Sequence, residues 1–356
     1  MKLVTVNEMR AIEQEADARG LTYARMMENA GRGLAKEILR LAYRHNDEDM
    51  QALGLVGPGN NGGDTLVALP HLAEKGWQAR AYLIHRKGEA DPLVERLREA
   101  DGEIVISEKD EGFEQLKAFI GTADVVLDGI LGTGFKLPLK AEIEHVMAAV
   151  KDASAELDWP PYVIAVDCPS GVDCDTGEAS AACIPADATL TMAAVKQGLL
   201  KTPAFDLVGE IHVVDIGLAD DLPSWKAVRS EVADEDLVAS VLPRRPSDSH
   251  KGTFGTAFIV AGSVNYTGAA LLAGKAAYRI GAGLVTLAVP APLHGALAGH
   301  FPEATWLLLP HEMGVVAADA VDVLAKELER ASALLIGPGF GLENTTKEFL
   351  EDLLQG

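Results

Sequence analysis

The stretch Gly57-Pro58-Gly59-Asn60-Asn61-Gly62-Gly63-Asp64 lies between two apolar runs, Ala52-Leu53-Gly54-Leu55-Val56 before it and Thr65-Leu66-Val67-Ala68-Leu69 after it. Five of its eight positions are Gly or Pro, and the other three carry amide or carboxylate side chains. It reads as the turn from a strand into a helix. Glycines there let the backbone approach a ligand, and a helix start offers unpaired N–H groups to an anion. Taken literally, the spacing also matches the G-x-G-x-x-G dinucleotide fingerprint, so hydride transfer is one reading.

Working outward, apolar strands are expected at 52–56, 79–84, 103–107, 124–131, 161–167, 187–192 and 210–216, with helices near 63–75, 92–100, 112–121 and 141–153. Strands alternating with helices and short turns mean a mainly parallel sheet covered on both faces. Ligands of such sheets bind outside the carboxyl ends of the strands. Two helices precede the alternation. The first starts at Val6-Asn7-Glu8-Met9, with Asn7 as its cap, and stops at Gly20. The second places Met27, Ala30, Leu34, Ile38 and Leu41 on one face. Its Glu28-Asn29-Ala30-Gly31 breaks the amphipathic pattern, either for close packing at Gly31 or as a polar wall to a pocket.

A break follows Ile216-Gly217, where Leu218-Ala219-Asp220-Asp221-Leu222-Pro223-Ser224 has the acidic, Pro-containing composition of a linker. Three segments are expected: a domain over 1–217, a linker over 218–235 and a second unit over 236–356. The second opens with an extended Pro243-Arg244-Arg245-Pro246, then a strand at 255–261, a helix at 268–280, strands at 284–289 and 333–336, and a helix from Asn344 to Leu354. With three or four strands it would leave apolar sheet edges uncovered, so the chain is expected to be truncated inside this unit.

A formal charge of −22 argues against nucleic acid or an anionic membrane as partner. The N-terminus MKLVTVNEMR lacks a signal-peptide core, and no apolar run approaches a membrane span, so a cytoplasmic location is expected. Cys168, Cys174 and Cys183 form no C-x-x-C pair and read as reduced thiols rather than zinc ligands.

Three strand ends share one composition. Besides the opening loop there is Val125-Val126-Leu127-Asp128-Gly129, running on to Gly132-Thr133-Gly134, and Val163-Ile164-Ala165-Val166-Asp167-Cys168-Pro169-Ser170-Gly171. Each puts an oxygen-bearing side chain where an apolar strand meets a flexible turn. Asn61, Asp128 and Ser170 offer amide, carboxylate and hydroxyl oxygens to a hard cation, and a single carboxylate suits a monovalent ion. Turn capping by all three is the competing reading. The hydride-transfer reading expects a carboxylate at the end of the second strand. That strand ends Leu83-Ile84-His85-Arg86, although an Arg could admit a 2′-phosphate.

Met27-Glu28-Asn29-Ala30-Gly31, the opening loop, Asp167-Cys168-Pro169-Ser170-Gly171 and Thr189-Leu190-Thr191-Met192 with Lys196 and Gly198 together resemble the NAD(P)H-hydrate epimerase family (YjeF N-terminal domain) over roughly residues 5–217. His250-Lys251-Gly252, Gly262-Ser263, Tyr266-Thr267-Gly268-Ala269-Ala270 and Gly337-Pro338-Gly339-Phe340-Gly341 resemble the ADP/ATP-dependent NAD(P)H-hydrate dehydratase family. The whole resembles the N-terminal two thirds or so of a bacterial bifunctional NAD(P)H-hydrate repair enzyme. The implied fold is a Rossmann-like three-layer αβα domain followed by an incomplete ribokinase-like α/β domain.

The resemblance implies a substrate, NADH or NADPH hydrated at C6 of the nicotinamide ring (NADHX or NADPHX). Its R and S forms would be interconverted to feed an S-specific dehydratase. Carried over by motif, Asn60, Asn61, Gly62, Gly63 and Asp64 would bind the hydrate, as would Gly132, Thr133, Gly134, Phe135, Lys136, Leu137 and Pro138. Asn61, Asp128 and Ser170 would hold a potassium ion. Asp167 would contact the reacting ring as the acid/base group, with Lys196 assisting or acting only as a solvated strand-end lysine. In the second unit Ala269 and Gly341 would contact substrate, while His311 and Lys251 read as surface residues. A complete dehydratase domain would take ADP or ATP with Mg²⁺. Its nucleotide-binding loop and catalytic segment should lie beyond Gly341, so no dehydratase activity is expected from this chain. A homo-oligomer is compatible with the sequence. A nicotinamide-dependent oxidoreductase and a non-catalytic binding protein on the same fold are the alternatives.

Overall fold

Residues 1–42, 50–88 and 91–355 are described by a computed structural model, and they divide into two units, Met1–Val241 and Leu242–Gly356. The first begins with β1 (Leu3–Val4), α1 (Val6–Ala18) and α2 (Tyr23–Ala42). The alternation follows: β2 (Gln51–Val56), α3 (Asn60–Ala73), β3 (Gln78–Leu83), α4 (Pro92–Glu99), β4 (Glu103–Ile106), α5 (Glu114–Ile120), β5 (Val125–Gly129), α6 (Ala141–Ala155) and β6 (Tyr162–Val166). Then come β7 (Ala188–Met192), β8 (Val195–Lys196), β9 (Glu210–Val214), α7 (Pro223–Ala227) and α8 (Glu235–Val241).

Seven strands form one parallel sheet in the order β4-β3-β2-β5-β6-β7-β9. The chain runs outward from β2 to β4, returns to the other side of β2 with β5, and continues outward again. The direction therefore reverses between β2 and β5, and the crevice at their carboxyl ends is where this topology leaves room for a ligand. Leu55 pairs with Asp128 and Asp128 with Ala165, which sets the β5 carboxylate level with the ends of both neighbouring strands.

Both faces of the sheet are buried, which is why its strands read as continuous apolar runs. Leu34 and Ile38 of α2 and Leu66 and Leu69 of α3 pack on one face, and Met147 and Val150 of α6 on the other. Each such buried side chain contributes about 1.5–3 kcal/mol. A Cβ added to Gly31 would lie 2.4 Å from Val67 Cγ1, so close helix packing explains this glycine. The polar-wall reading of the same stretch fails. Glu28 pairs with Arg96 at 2.7 Å, and Asn29 Nδ2 donates to Ile216 O at 2.9 Å. The cap of α1 is Thr5 rather than Asn7: Glu8 N donates to Thr5 Oγ1 at 3.1 Å while Thr5 N donates to Glu8 Oε2 at 2.7 Å.

Residues 218–235, expected as a linker, belong mostly to the first unit's packing. Leu222 and Val228 are buried in its core, Ser224 N donates to Glu15 Oε2 at 2.9 Å, and Val232 N donates to Met1 O at 2.8 Å. The division between units falls at 241/242 instead. An acidic, Pro-containing composition described the surface of this segment and hid its apolar anchors.

The second unit comprises β10 (Thr256–Val260), α9 (Thr267–Ile280), β11 (Leu284–Pro290), α10 (His294–Leu297), β12 (Thr305–Leu309), β13 (His311–Glu312), β14 (Val315–Val316), α11 (Ala320–Ala325), β15 (Ala333–Ile336) and α12 (Asn344–Gln355). Its parallel sheet runs β12-β11-β10-β15, beside an antiparallel β13–β14 pair. β12 escaped the sequence reading. β15 is an edge strand on which Leu334 and Leu335 are 42% and 45% exposed. No helix among the described residues is long and apolar enough to cross a membrane.

Candidate functional site

The loop after β2 is pressed against the loop after β5. Gly57 N donates to Gly129 O at 3.0 Å, and a Cβ on Gly57 would lie 1.8 Å from Ile130 O, so only glycine fits. The N-cap of α3 is Gly59, which brings no side chain to the first turn. Arg86 clamps this turn, with Nε 2.8 Å from Asp91 Oδ2 and Nη1 donating to Gly57 O at 3.2 Å and Gly59 O at 3.4 Å. Arg86, whose guanidinium could have welcomed a 2′-phosphate at the end of β3, is therefore committed to holding the loop.

Asn61, Asp128 and Ser170 converge beneath that turn. Ser170 Oγ donates to Asp128 Oδ1 at 2.5 Å and Ser170 N to Asp128 Oδ2 at 2.8 Å, while Leu131 N donates to Ser170 Oγ at 2.9 Å. The Asn61 amide reaches Leu131 O at 3.2 Å and Val166 O at 2.5 Å. Asp128 is fully buried, which raises its pKa, and the donors from Ser170 and Ile130 oppose the rise. The cluster is rich in hard oxygens with a single carboxylate, a composition that fits a monovalent cation better than a divalent one. No group of three or more His, Cys, Asp or Glu side chains suited to a metal occurs among the described residues, and all three cysteines are buried free thiols.

Asp167 follows β6 with φ +67°, an uncommon conformation for a residue with a side chain. Its Oδ1 accepts from Lys196 Nζ, from Met192 N at 2.8 Å and from Thr191 Oγ1 at 3.2 Å. Lys196 is only 1% exposed, so the solvated-lysine reading is set aside. Its ammonium also donates to Thr191 Oγ1 at 3.1 Å and Met192 O at 2.9 Å. The strained turn and the buried ion pair fix the carboxyl in one orientation at the edge of a cavity.

That cavity has a volume of about 860 Å³ and lies over the carboxyl ends of β2, β5 and β6. Of the residues expected to touch substrate, Asn60, Asn61, Asp64, Gly132, Thr133, Gly134, Phe135 and Asp167 line it. Gly62 and Gly63 lie behind it, Gly62 against Gly57 O and Gly63 against the Met27 side chain. Lys136 lines a smaller neighbouring recess of about 250 Å³, also lined by Arg10 and Asp173. Leu137 and Pro138 line neither. Ala269 and Gly341 belong to the second unit, where Ala269, on α9, packs near Gly339.

Arg10, Glu13, Tyr23 and Met26 also line the cavity, and sequence reasoning passed over all four. For Glu13 a signal existed: it stands four residues after Met9, on the edge of the buried Met9, Ile12 and Ala16 stripe. Burial raises the pKa of Glu13, and the nearby Asp167 raises it further. Asp64 is shifted well upward, first by burial and then by Asp167 and Glu13, with Lys196 opposing.

A family model described as YjeF-related protein N-terminus matches residues 23–198, and one described as NAD(P)H-hydrate dehydratase matches residues 257–356. The bifunctional NAD(P)H-hydrate repair enzyme of Moorella thermoacetica is 33% identical over 99% of this chain, which covers 67% of that protein. The enzyme of the same name from Thermofilum pendens is 34% identical over 99% of this chain, covering 66% of its own length. The chain thus spans about two thirds of these relatives. A crystal structure of yeast ynu0 shares the fold over 60% of this chain and 87% of its own, with a TM-score of 0.50 at 22% identity. By its two matched regions and these full-span relatives, the chain belongs to the bifunctional NAD(P)H-hydrate repair enzyme family.

Proposed function

We propose that the first unit is an NAD(P)H-hydrate epimerase, interconverting the R and S forms of NADHX or NADPHX at C6 of the nicotinamide ring. The observation that carries this reading is the Asp167–Lys196 pair at the edge of a cavity whose 860 Å³ or so suits part of a dinucleotide. Inverting a carbinol carbon without redox proceeds by loss and return of the hydroxyl, which needs a positioned proton donor and acceptor. Asp167 serves in that exchange, and Lys196 holds its carboxyl and balances its charge. Asn60 and Asn61, at the first turn of α3, orient the ring, and Gly132 to Phe135 supply the facing wall. Asn61, Asp128 and Ser170 hold potassium. When bound, the ion offsets the buried Asp128 charge and braces the three loops.

The second unit is read as part of the partner activity, the dehydratase of the same repair, with Ala269 and Gly341 contacting the hydrate. ADP or ATP with Mg²⁺ is its nucleotide, and no residue described here is assigned to it. Three reduced thiols suit a cytoplasmic enzyme. The oxidoreductase alternative loses support because Arg86 is occupied by Asp91 and the loop carbonyls.

The test is isotopic. Hydrate incubated with the protein in ¹⁸O-water should gain label at the C6 hydroxyl faster than hydrate alone, with no change in NADPH absorbance when carbonyl compounds are added. Label uptake at the spontaneous rate, or carbonyl-dependent NADPH oxidation, would contradict the proposal.

A further inference from the structure

Among the described residues, Asp64 is the buried carboxyl that faces the cavity without a partner, while Glu13, only half-buried, lines it without one as well. Asp64 lies on α3 three residues after Asn61, hence on the same helix face, and is 7% exposed. Among the described residues no hydrogen bond or ion pair engages its carboxyl. Lys196, the cation that acts against its shift, is already spent. An ammonium has three protons, and those of Lys196 are taken up by Asp167 Oδ1, Thr191 Oγ1 and Met192 O. Asp167, by contrast, receives three donors on one oxygen. A buried carboxyl with no donor is stable as the neutral acid, whereas one loaded with donors is an acceptor.

We infer that Asp64 is the proton donor to the departing C6 hydroxyl, with Asp167 as the acceptor for the returning water. This assignment rests on the epimerase reading and divides its acid and base roles between two residues. Pairs of carboxyls whose surroundings separate their proton affinities are a recurrent solution for acid–base catalysis. The direction of the Asp64 shift agrees, since burial and the facing Asp167 and Glu13 outweigh the facing Lys196.

The step balances. Asp64 passes its proton to the hydroxyl oxygen, the C6–O bond breaks with its electron pair, and water departs as the ring nitrogen's lone pair closes a C6=N double bond. Water then adds to the opposite ring face. That pair returns to nitrogen, a new C6–O bond forms, and the surplus proton goes to Asp167. Exchange with solvent water restores Asp64 as the acid and Asp167 as the carboxylate.

The experiment compares kcat and KM for R-to-S conversion by the native protein, Asp64→Asn and Glu13→Gln, each checked for folding by circular dichroism. Loss of a general acid should lower kcat of Asp64→Asn by about 10²–10⁴-fold with KM changed less than about threefold, a larger loss of kcat than Glu13→Gln shows. Asp64→Ser takes the place of Asp64→Asn, under the same criterion, if the latter does not fold. An Asp64 variant with native kcat, a loss confined to KM, or the larger loss in Glu13→Gln overturns the assignment while leaving the epimerase reading intact. A native protein that does not accelerate conversion overturns both.

Discussion

Lys196 donates to Oδ1 of Asp167, and the backbone of Asp167 is held at φ +67°. The two facts are linked, because the left-handed turn after β6 swings the carboxyl back over β7 to meet the ammonium and Met192 N. Asparagine tolerates this conformation better than alanine does and keeps an oxygen for Met192 N. Asp167→Asn should therefore remain folded while its turnover drops by about 10²–10⁴-fold. Asp167→Ala should lose turnover and unfold at lower denaturant. Lys196→Met, which leaves the Asp167 charge buried and unpaired, should cost about 3–5 kcal/mol in a urea titration.

Ser170 both donates to Asp128 and accepts from Leu131 N. Ser170→Ala removes both bonds at a fully buried carboxylate and should destabilise the protein by about 1–3 kcal/mol. If the cluster holds potassium, the melting temperature should rise with potassium chloride relative to choline chloride, because a ligand that binds only the folded state stabilises it. Ser170→Ala and Asp128→Asn should flatten that rise.

Arg86 makes no contact that requires a ligand; it ties Asp91 to the Gly57–Gly59 turn. Arg86→Ala should loosen the turn that positions Asn60 and Asn61. A displacement of about 1 Å can cost up to about 100-fold in kcat/KM, and steady-state kinetics would register it.

Much of this arrangement was legible in the chain. An apolar run ending in Gly or Asp marks a strand whose end faces a crevice, and three such ends single out Asn61, Asp128, Asp167 and Ser170 in the sequence alone. The pairing register that brings them together follows from the parallel sheet. What escaped depended on contacts distant in sequence. Arg10 and Tyr23 reach the cavity only because α1 and α2 pack at the rim, and no local pattern encodes that, whereas Glu13 had one local hint in its place beside the Met9, Ile12 and Ala16 stripe. For Lys196 the sequence leaves open both assistance to Asp167 and a solvated strand-end role, and only its burial, at 1% exposed, decides against the second. The 218–235 segment showed its charges in sequence, while Leu222 and Val228, which anchor it, are single residues without periodicity.

The Asp64 carboxyl has a proton affinity raised by folding. Above the ordinary value of 3.8 the unfolded chain loses this proton while the folded state keeps it, so this contribution to stability is full at low pH. It declines as pH rises towards the folded value. Asp64→Asn carries no such proton, so its stability relative to the native protein should increase as pH rises above 3.8 in denaturant titrations. Parallel pH dependence of the two proteins would contradict the shift.

Turnover of the isolated R hydrate is the most direct measurement on this cavity. Purified protein in potassium buffer, sampled over time by chromatography that resolves the two epimers, should drive the R/S ratio to its equilibrium value well ahead of the spontaneous reaction. Asp167→Asn should follow the spontaneous course. A native protein whose R/S ratio changes no faster than buffer alone would contradict the assignment of this cavity as an epimerase site.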